Sequence, residues 1–292
     1  MKKLSVYLAF ILITSICFMC IGCNSSSTPK NIYKTKVGNA IIWSILDSQT
    51  EESTDIFKGN DKLVKETYPN GKYTAYVNFF IIKTPRAISL INSGSGKVNM
   101  KDSLSYAGVN LEDVEAIYMT HINKDTAGGL LKGDEPVFSK AKIYISVTED
   151  EELGFKPDDD PNKVIYKKIE KAYGEKITTF RTTGEEMKNG ITSLASYGHT
   201  IGHTIYKFES KNEVILFLGG AFTDLYLQTK DVKISSTTDE DQEGAISARQ
   251  DILDLIESEK SLTKCSGIYF PFPAIATIEK VKGNEYKFTL EK

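Results

Sequence analysis

Only three histidines occur in the 292-residue chain, His121, His199 and His203. Imidazole is the commonest side chain for binding metals, so this count bounds any metal chemistry more tightly than the rest of the composition does. A histidine-rich two-metal site cannot be assembled from it. The three stand in two polar, glycine-edged segments, Met119-Thr120-His121-Ile122-Asn123-Lys124-Asp125-Thr126-Ala127-Gly128-Gly129 and Gly198-His199-Thr200-Ile201-Gly202-His203. Metal-free nucleophilic catalysis has less to work with. The Gly-x-Ser-x-Gly elbow is absent, and Ser95 in Gly94-Ser95-Gly96 has no assigned base. Cys265 has no histidine near it in sequence and reads as a small buried hydrophobe.

These segments need elements to hold them. β-rich apolar runs at residues 40–46, 76–83 and 87–91 predict an N-terminal sheet. A helical stretch at 102–107 then leads to a strand at 116–119, whose end drops His121 into a turn. Further strands are expected at 142–146 and 214–218, with a helix over 161–173 spaced by Val164, Ile165, Ile169 and Ala172. A final helix over 243–259 precedes Gly267-Ile268-Tyr269-Phe270. Strands interspersed with helices predict an α/β fold with two sheets or one large one. Residues 51–76 are mostly polar and read as a surface loop that could border a cleft, and 235–243 read as a solvated loop.

The two histidine segments, with Leu218-Gly219-Gly220-Ala221 and Tyr269-Phe270-Pro271-Phe272-Pro273, resemble the metallo-β-lactamase superfamily from about residue 36 onward. The Pro-Phe-Pro ending is most similar to its secreted lactonase and organophosphate-hydrolase branch. The resemblance implies an αββα sandwich and a hydrolase using a metal-activated hydroxide at a dinuclear centre. Its His-x-His-x-Asp-His motif falls on His121, Asn123, Asp125 and Thr126. Its third first-site histidine matches His199, its bridging aspartate falls on Gly220, and its last histidine falls on Tyr269. Asn92 stands where the family usually has an aspartate. Four of the seven ligand positions, Asn123, Thr126, Gly220 and Tyr269, have therefore lost their ligand chemistry: Asn offers a neutral amide, Thr a hydroxyl, Gly nothing, and a neutral phenol is a poor ligand.

The expectation is a degraded metal site with no cofactor, and a non-hydrolytic protein that binds an unidentified small molecule in the old cleft beside Asn123, Thr126, Gly220 and Tyr269. The alternative is a hydrolase of lactone, ester or phosphotriester bonds using one zinc held by His121, Asp125 and His199. Whether the chain is an enzyme is left open between them. Ordinary roles are also available: Asp125 could cap the backbone amides that follow it, and His203 is expected to be structural.

Lys2 and Lys3 precede an apolar run over residues 4–19, followed by Cys20-Ile21-Gly22-Cys23 and a polar stretch. This resembles a bacterial lipoprotein signal, implying removal of residues 1–22, acylation of Cys23, a tether over 23–35 and a domain over 36–292. The expected location is extracytoplasmic, with the membrane as partner through the lipid. The 36 basic and 39 acidic side chains are interspersed and give a net charge of −3, so no basic face for nucleic-acid phosphates is expected.

Overall fold

The computed structural model describes residues 29–182, 184, 186–259 and 262–292. The signal segment and Cys23 lie outside the described residues. Two sheets form the body. The first runs, in spatial order, β1 (Ile32–Val37), β2 (Ala40–Ser53), β4 (Lys72–Lys83), β5 (Ile88–Ile91), β6 (Val114–Tyr118), β9 (Lys142–Ser146) and β10 (Ile177–Phe180). The second runs β11 (Glu186–Lys188), β12 (Ile191–Ala195), β13 (Thr204–Ser210), β14 (Glu213–Phe217), β16 (Leu262–Ser266), β17 (Ile275–Lys282) and β18 (Glu285–Leu290). Two short ribbons pair β3 (Phe57–Lys58) with β15 (Ser235–Ser236) and β7 (Leu131–Lys132) with β8 (Glu135–Pro136). The helices are α1 (Asp61–Thr67), α2 (Met100–Tyr106), α3 (Lys124–Ala127), α4 (Val147–Phe155), α5 (Pro161–Tyr173), α6 (Leu225–Gln228) and α7 (Gln242–Ser258).

The apolar run in β4 shows why the layers stack. Side chains alternate across a strand, so a strand buried on both faces must be apolar at consecutive positions. Phe80 and Ile82 join one core with Phe208, Val214 and Phe217 of the second sheet, and Phe80 meets Phe217 with ring centroids 5.3 Å apart. Phe79 and Ile81 join the other core, with Leu104 of α2, Leu153 of α4 and Tyr166 and Ile169 of α5. Ile252, Leu253 and Ile256 of α7 belong to the first core. The result is helices, sheet, sheet and helix, the αββα sandwich expected.

Three sequence expectations change. β1 begins at Ile32, inside the stretch read as tether, because Ile32 and Val37 are buried and pair with β2. Residues 51–76 are not a plain loop: they carry the end of β2, α1 and the start of β4. They read as polar because the end of β2 is exposed. Ser235, Ser236 and Asp239 are buried, not solvated. Residues 268–270 form a turn after β16, and the hairpin β17–β18 follows. Cys265 is buried as expected, and burial pushes its thiol up to about 12.

Candidate functional site

The site grows from the carboxyl ends of β5 and β6. Asn92, just past β5, takes a left-handed backbone (φ 57°), which asparagine tolerates better than most residues. Its Oδ1 accepts from the Thr120 N–H at 2.9 Å and its Nδ2 donates to Thr120 Oγ1 at 3.0 Å, which fixes the turn after β6. Thr120 Oγ1 in turn lies 3.0 Å from His121 Nδ1. The amide at position 92 thus braces the neighbour of His121. Asn78 of β4 anchors the opposite wall, donating from Nδ2 to the Ile268 and Phe270 carbonyls at 2.9 Å on either side of Tyr269.

Asn123, not Asp125, caps α3. Its Oδ1 accepts from the Asp125 and Thr126 N–H groups at 2.9 and 3.0 Å, while Thr126 Oγ1 accepts from the Asn123 N–H at 3.1 Å, a reciprocal capping box. With its oxygen engaged this way, the amide must turn its NH2 outward. That nitrogen lies 3.0 Å from His121 Nε2 and 3.4 Å from Tyr269 Oη. An amide nitrogen only donates, so His121 Nε2 accepts and its proton sits on Nδ1, directed at Thr120 Oγ1. Thr126 is fully occupied inside the turn, donating to the His121 carbonyl at 2.8 Å.

The other two histidines come from the loop between β12 and β13. His203 lies 2.9 Å from the Ser196 carbonyl through Nδ1, and its Nε2 accepts from the Gly220 N–H at 3.0 Å. Both ring nitrogens are therefore used, and His203 is structural. His199 Nδ1 lies 3.0 Å from Asp239 Oδ1. Asp239 Oδ2 accepts from the Ser236 N–H and lies 3.5 Å from Nη1 of Arg249, which is fully buried. Arg249 also donates to the Ala221, Val232 and Ile234 carbonyls, so one guanidinium ties down the loop that carries Gly220 and Asp239. The His121 and His199 ring centroids are 4.7 Å apart, and His203 is 5.3 Å from His121. Burial, with the neighbouring imidazoles, holds His121 well below the usual histidine range, and burial brings His203 down to about 3.

Two carboxylates brace the site without a sequence signal that reveals it. Glu149, at the start of α4, is buried; it accepts from the Ile122 N–H at 2.8 Å and from Thr200 Oγ1 at 2.6 Å, bridging the two histidine segments. The Ser146-x-x-Glu149 spacing reads as a capping box, and Ser146 does accept from the Glu149 N–H, but the glutamate side chain turns to the loops instead. Burial pushes its carboxyl up to about 7. Asp47 holds the Gly94-Ser95-Gly96 turn, accepting from Ser95 Oγ and from the Ser95 and Val98 N–H groups. Ser95 thus has Asp47 as its partner within this turn.

A zinc ion needs unprotonated lone pairs converging on one point. Here an N–H group points at the lone pair of His121 Nε2, and both nitrogens of His203 are engaged. At Gly220 a β-carbon would lie 2.5 Å from His199 Nε2 and 3.2 Å from His121 Cε1, so imidazole fills the space beside this glycine. Tyr269 is kept protonated, its phenol pushed far up by burial. Asp125 is half-buried on α3, its carboxyl raised chiefly by burial. Among the described residues no three His, Cys, Asp or Glu side chains are grouped to hold a metal.

No protein-family model matches the sequence, and no curated protein matches it. Solved structures do. Hydrolase AbOPH of the β-lactamase superfamily superimposes with a TM-score of 0.76 at 21% identity, covering 88% of this chain and 96% of that one. AidC, a dizinc quorum-quenching lactonase, gives 0.79 at 20% identity, covering 90% and 98%. The chain has the metallo-β-lactamase fold. A probable metal-dependent hydrolase from Staphylococcus aureus shares it, with a TM-score of 0.69 at 18% identity over 80% and 91% of the two chains. The metallo-β-lactamase fold thus persists here around a histidine cluster tied together by hydrogen bonds.

Two outcomes follow from this geometry. The folded pKa of Glu149 is raised above its ordinary 4.5, so its contribution to stability is complete below pH 4.5 and is lost as pH rises through about 7. Relative to Glu149→Gln, the native protein should lose roughly 2–3 kcal/mol between pH 4.5 and 8, read by urea unfolding with Trp43 fluorescence; a pH-independent difference would contradict the assignment. Gly220→Asp should destabilise by about 1–3 kcal/mol, because its β-carbon meets a ring held in place by Asp239. An unchanged urea midpoint would show the His199 ring free to move.

Proposed function

We propose that this chain is a non-hydrolytic binding protein on the metallo-β-lactamase fold, taking a small molecule in the cleft beside Tyr269. One contact carries the proposal, the Asn123 amide donating to His121 Nε2, with the orientation of the amide locked by its capping of α3. The atom that would have to accept a metal already accepts a proton donor, and the donor cannot flip without uncapping the helix. The cleft itself is a concave space of about 210 Å³ lined by Tyr68, Tyr76, Tyr226 and Tyr269 among others. Its walls come from the polar stretch after β2, from the loop after β14 and from the turn after β16.

Placement outside the cytoplasm, on a bacterial membrane through lipid on Cys23, is part of the same proposal. Its support is sequence: two lysines, an apolar run, then Ile21-Gly22-Cys23 and a polar tether. Two or more acyl chains make such anchoring stable where one is marginal.

The full chain in mild detergent, exposed to zinc and then desalted, should retain far less than stoichiometric metal by mass spectrometry. Near-stoichiometric zinc that disappears in a His121→Ala, His199→Ala double variant would overturn the proposal in favour of a single-metal hydrolase of lactones, esters or phosphotriesters. Separately, Cys23→Ala should move the chain from the membrane fraction to the soluble fraction; continued membrane retention would overturn the lipid anchor.

A further inference from the structure

The cleft beside Tyr269 has a definite electrostatic character. Four tyrosines line it, Tyr68, Tyr76, Tyr226 and Tyr269, together with the carboxylate of Asp224. Among the described residues no lysine, arginine or histidine does. Asp224 is 5% exposed, and its position is fixed from both sides: Tyr68 Oη donates to Oδ2 at 2.6 Å and the Leu227 N–H donates to Oδ1 at 2.8 Å. Neither donor is a cation, so no ion pair within the lining neutralises the carboxylate, which burial shifts above the usual carboxylate range. Lys230 acts on Asp224 from outside the lining. A second carboxylate, Asp125, acts on Tyr269 and Tyr73 from the side of α3.

The ring faces of tyrosine carry negative potential, and phenol oxygens present lone pairs, so walls of this composition favour positive charge spread over a partly apolar group. An anion would meet the Asp224 carboxylate with no counter-ion in the lining, and a purely apolar ligand would desolvate that carboxylate without supplying an opposite charge. At about 210 Å³ the space falls below the ~300–1,000 Å³ of pockets for drug-sized molecules, which sets the ligand as small. We infer that the cleft binds a small organic cation, an alkylated ammonium group received by Tyr68, Tyr76, Tyr226 and Tyr269 with Asp224 as its counter-charge. This rests on the cleft being a binding site, and it names the class of ligand.

The test uses choline and its neutral carbon isostere, 3,3-dimethylbutan-1-ol, titrated calorimetrically into the full chain in neutral detergent, with zinc content measured on the same sample. Choline should bind at least about tenfold more tightly than the alcohol. Asp224→Asn keeps the cap on α6, since asparagine caps as well as aspartate, and should weaken choline by roughly tenfold. Tyr226 is 42% exposed, so Tyr226→Leu should fold as the native chain does by circular dichroism and weaken choline by roughly 2- to 30-fold. Equal binding of choline and the alcohol, choline binding unaffected by both substitutions, or no binding by a zinc-free chain would each overturn the cation assignment while leaving a non-hydrolytic protein. Uptake of stoichiometric zinc would instead remove the binding-protein reading, and the cation assignment would fall with it.

Discussion

The primary amide of Asn123 serves both sides of the site at once. Its oxygen is engaged by two N–H groups at the first turn of α3, so its nitrogen faces His121 and Tyr269. From that orientation the rest follows by donor and acceptor arithmetic. His121 must accept at Nε2, its proton must lie on Nδ1, and Thr120 must receive it while being held by Asn92. A helix cap thereby sets an imidazole tautomer and joins the turn after β6 to the turn that bears Tyr269.

In a dinuclear hydrolase of this fold, ligands from several loops meet on metal ions, and the ions cross-link the loops. Here buried polar side chains make the same cross-links. Glu149 joins the His121 segment to the His199 segment, and Asp239 with Arg249 joins the His199 loop to the chain after β14. Removing a metal would ordinarily leave several unsatisfied groups in the interior. The hydrogen bonds of Asn123, Gly220 and Asp239 satisfy nitrogens of all three rings instead, and burial keeps His121 and His203 neutral. Glycine at position 220 also makes room for the rings, since a β-carbon there would collide with His199.

Much of the sandwich was legible because its strands are buried on both faces and so are apolar without interruption, as in Phe79-Phe80-Ile81-Ile82. Where burial is one-sided or partial, the reading failed. The end of β2 is polar because it is exposed, and Ser235, Ser236 and Asp239 are polar yet buried because they are satisfied by Gln242, by Thr238, and by the Ser236 N–H with Arg249, respectively. His121, Asn123, His199, Gly220 and Tyr269, which the motifs single out, are brought together by the fold, with Thr126 held inside the turn. Asp125 was correctly placed on the turn but given the cap that Asn123 provides. Glu149, Asp239 and Arg249 were missed as site residues, since the histidine segments that Glu149 joins lie 27 and 51 positions from it and His199 lies 40 positions from Asp239.

The amino-acid sequence by itself determined an α/β chain with doubly buried apolar strands and the bound of three histidines on metal chemistry, because these depend on residue type and local periodicity. Only the tertiary structure decided what the surviving groups do. Whether an imidazole lone pair is open or occupied depends on which donor the fold brings within 3 Å of it, and whether a row of tyrosines is core or cleft wall depends on packing between segments far apart in the chain. Asn123 facing His121, imidazole crowding Gly220, and Asp224 set among four tyrosines are products of that packing.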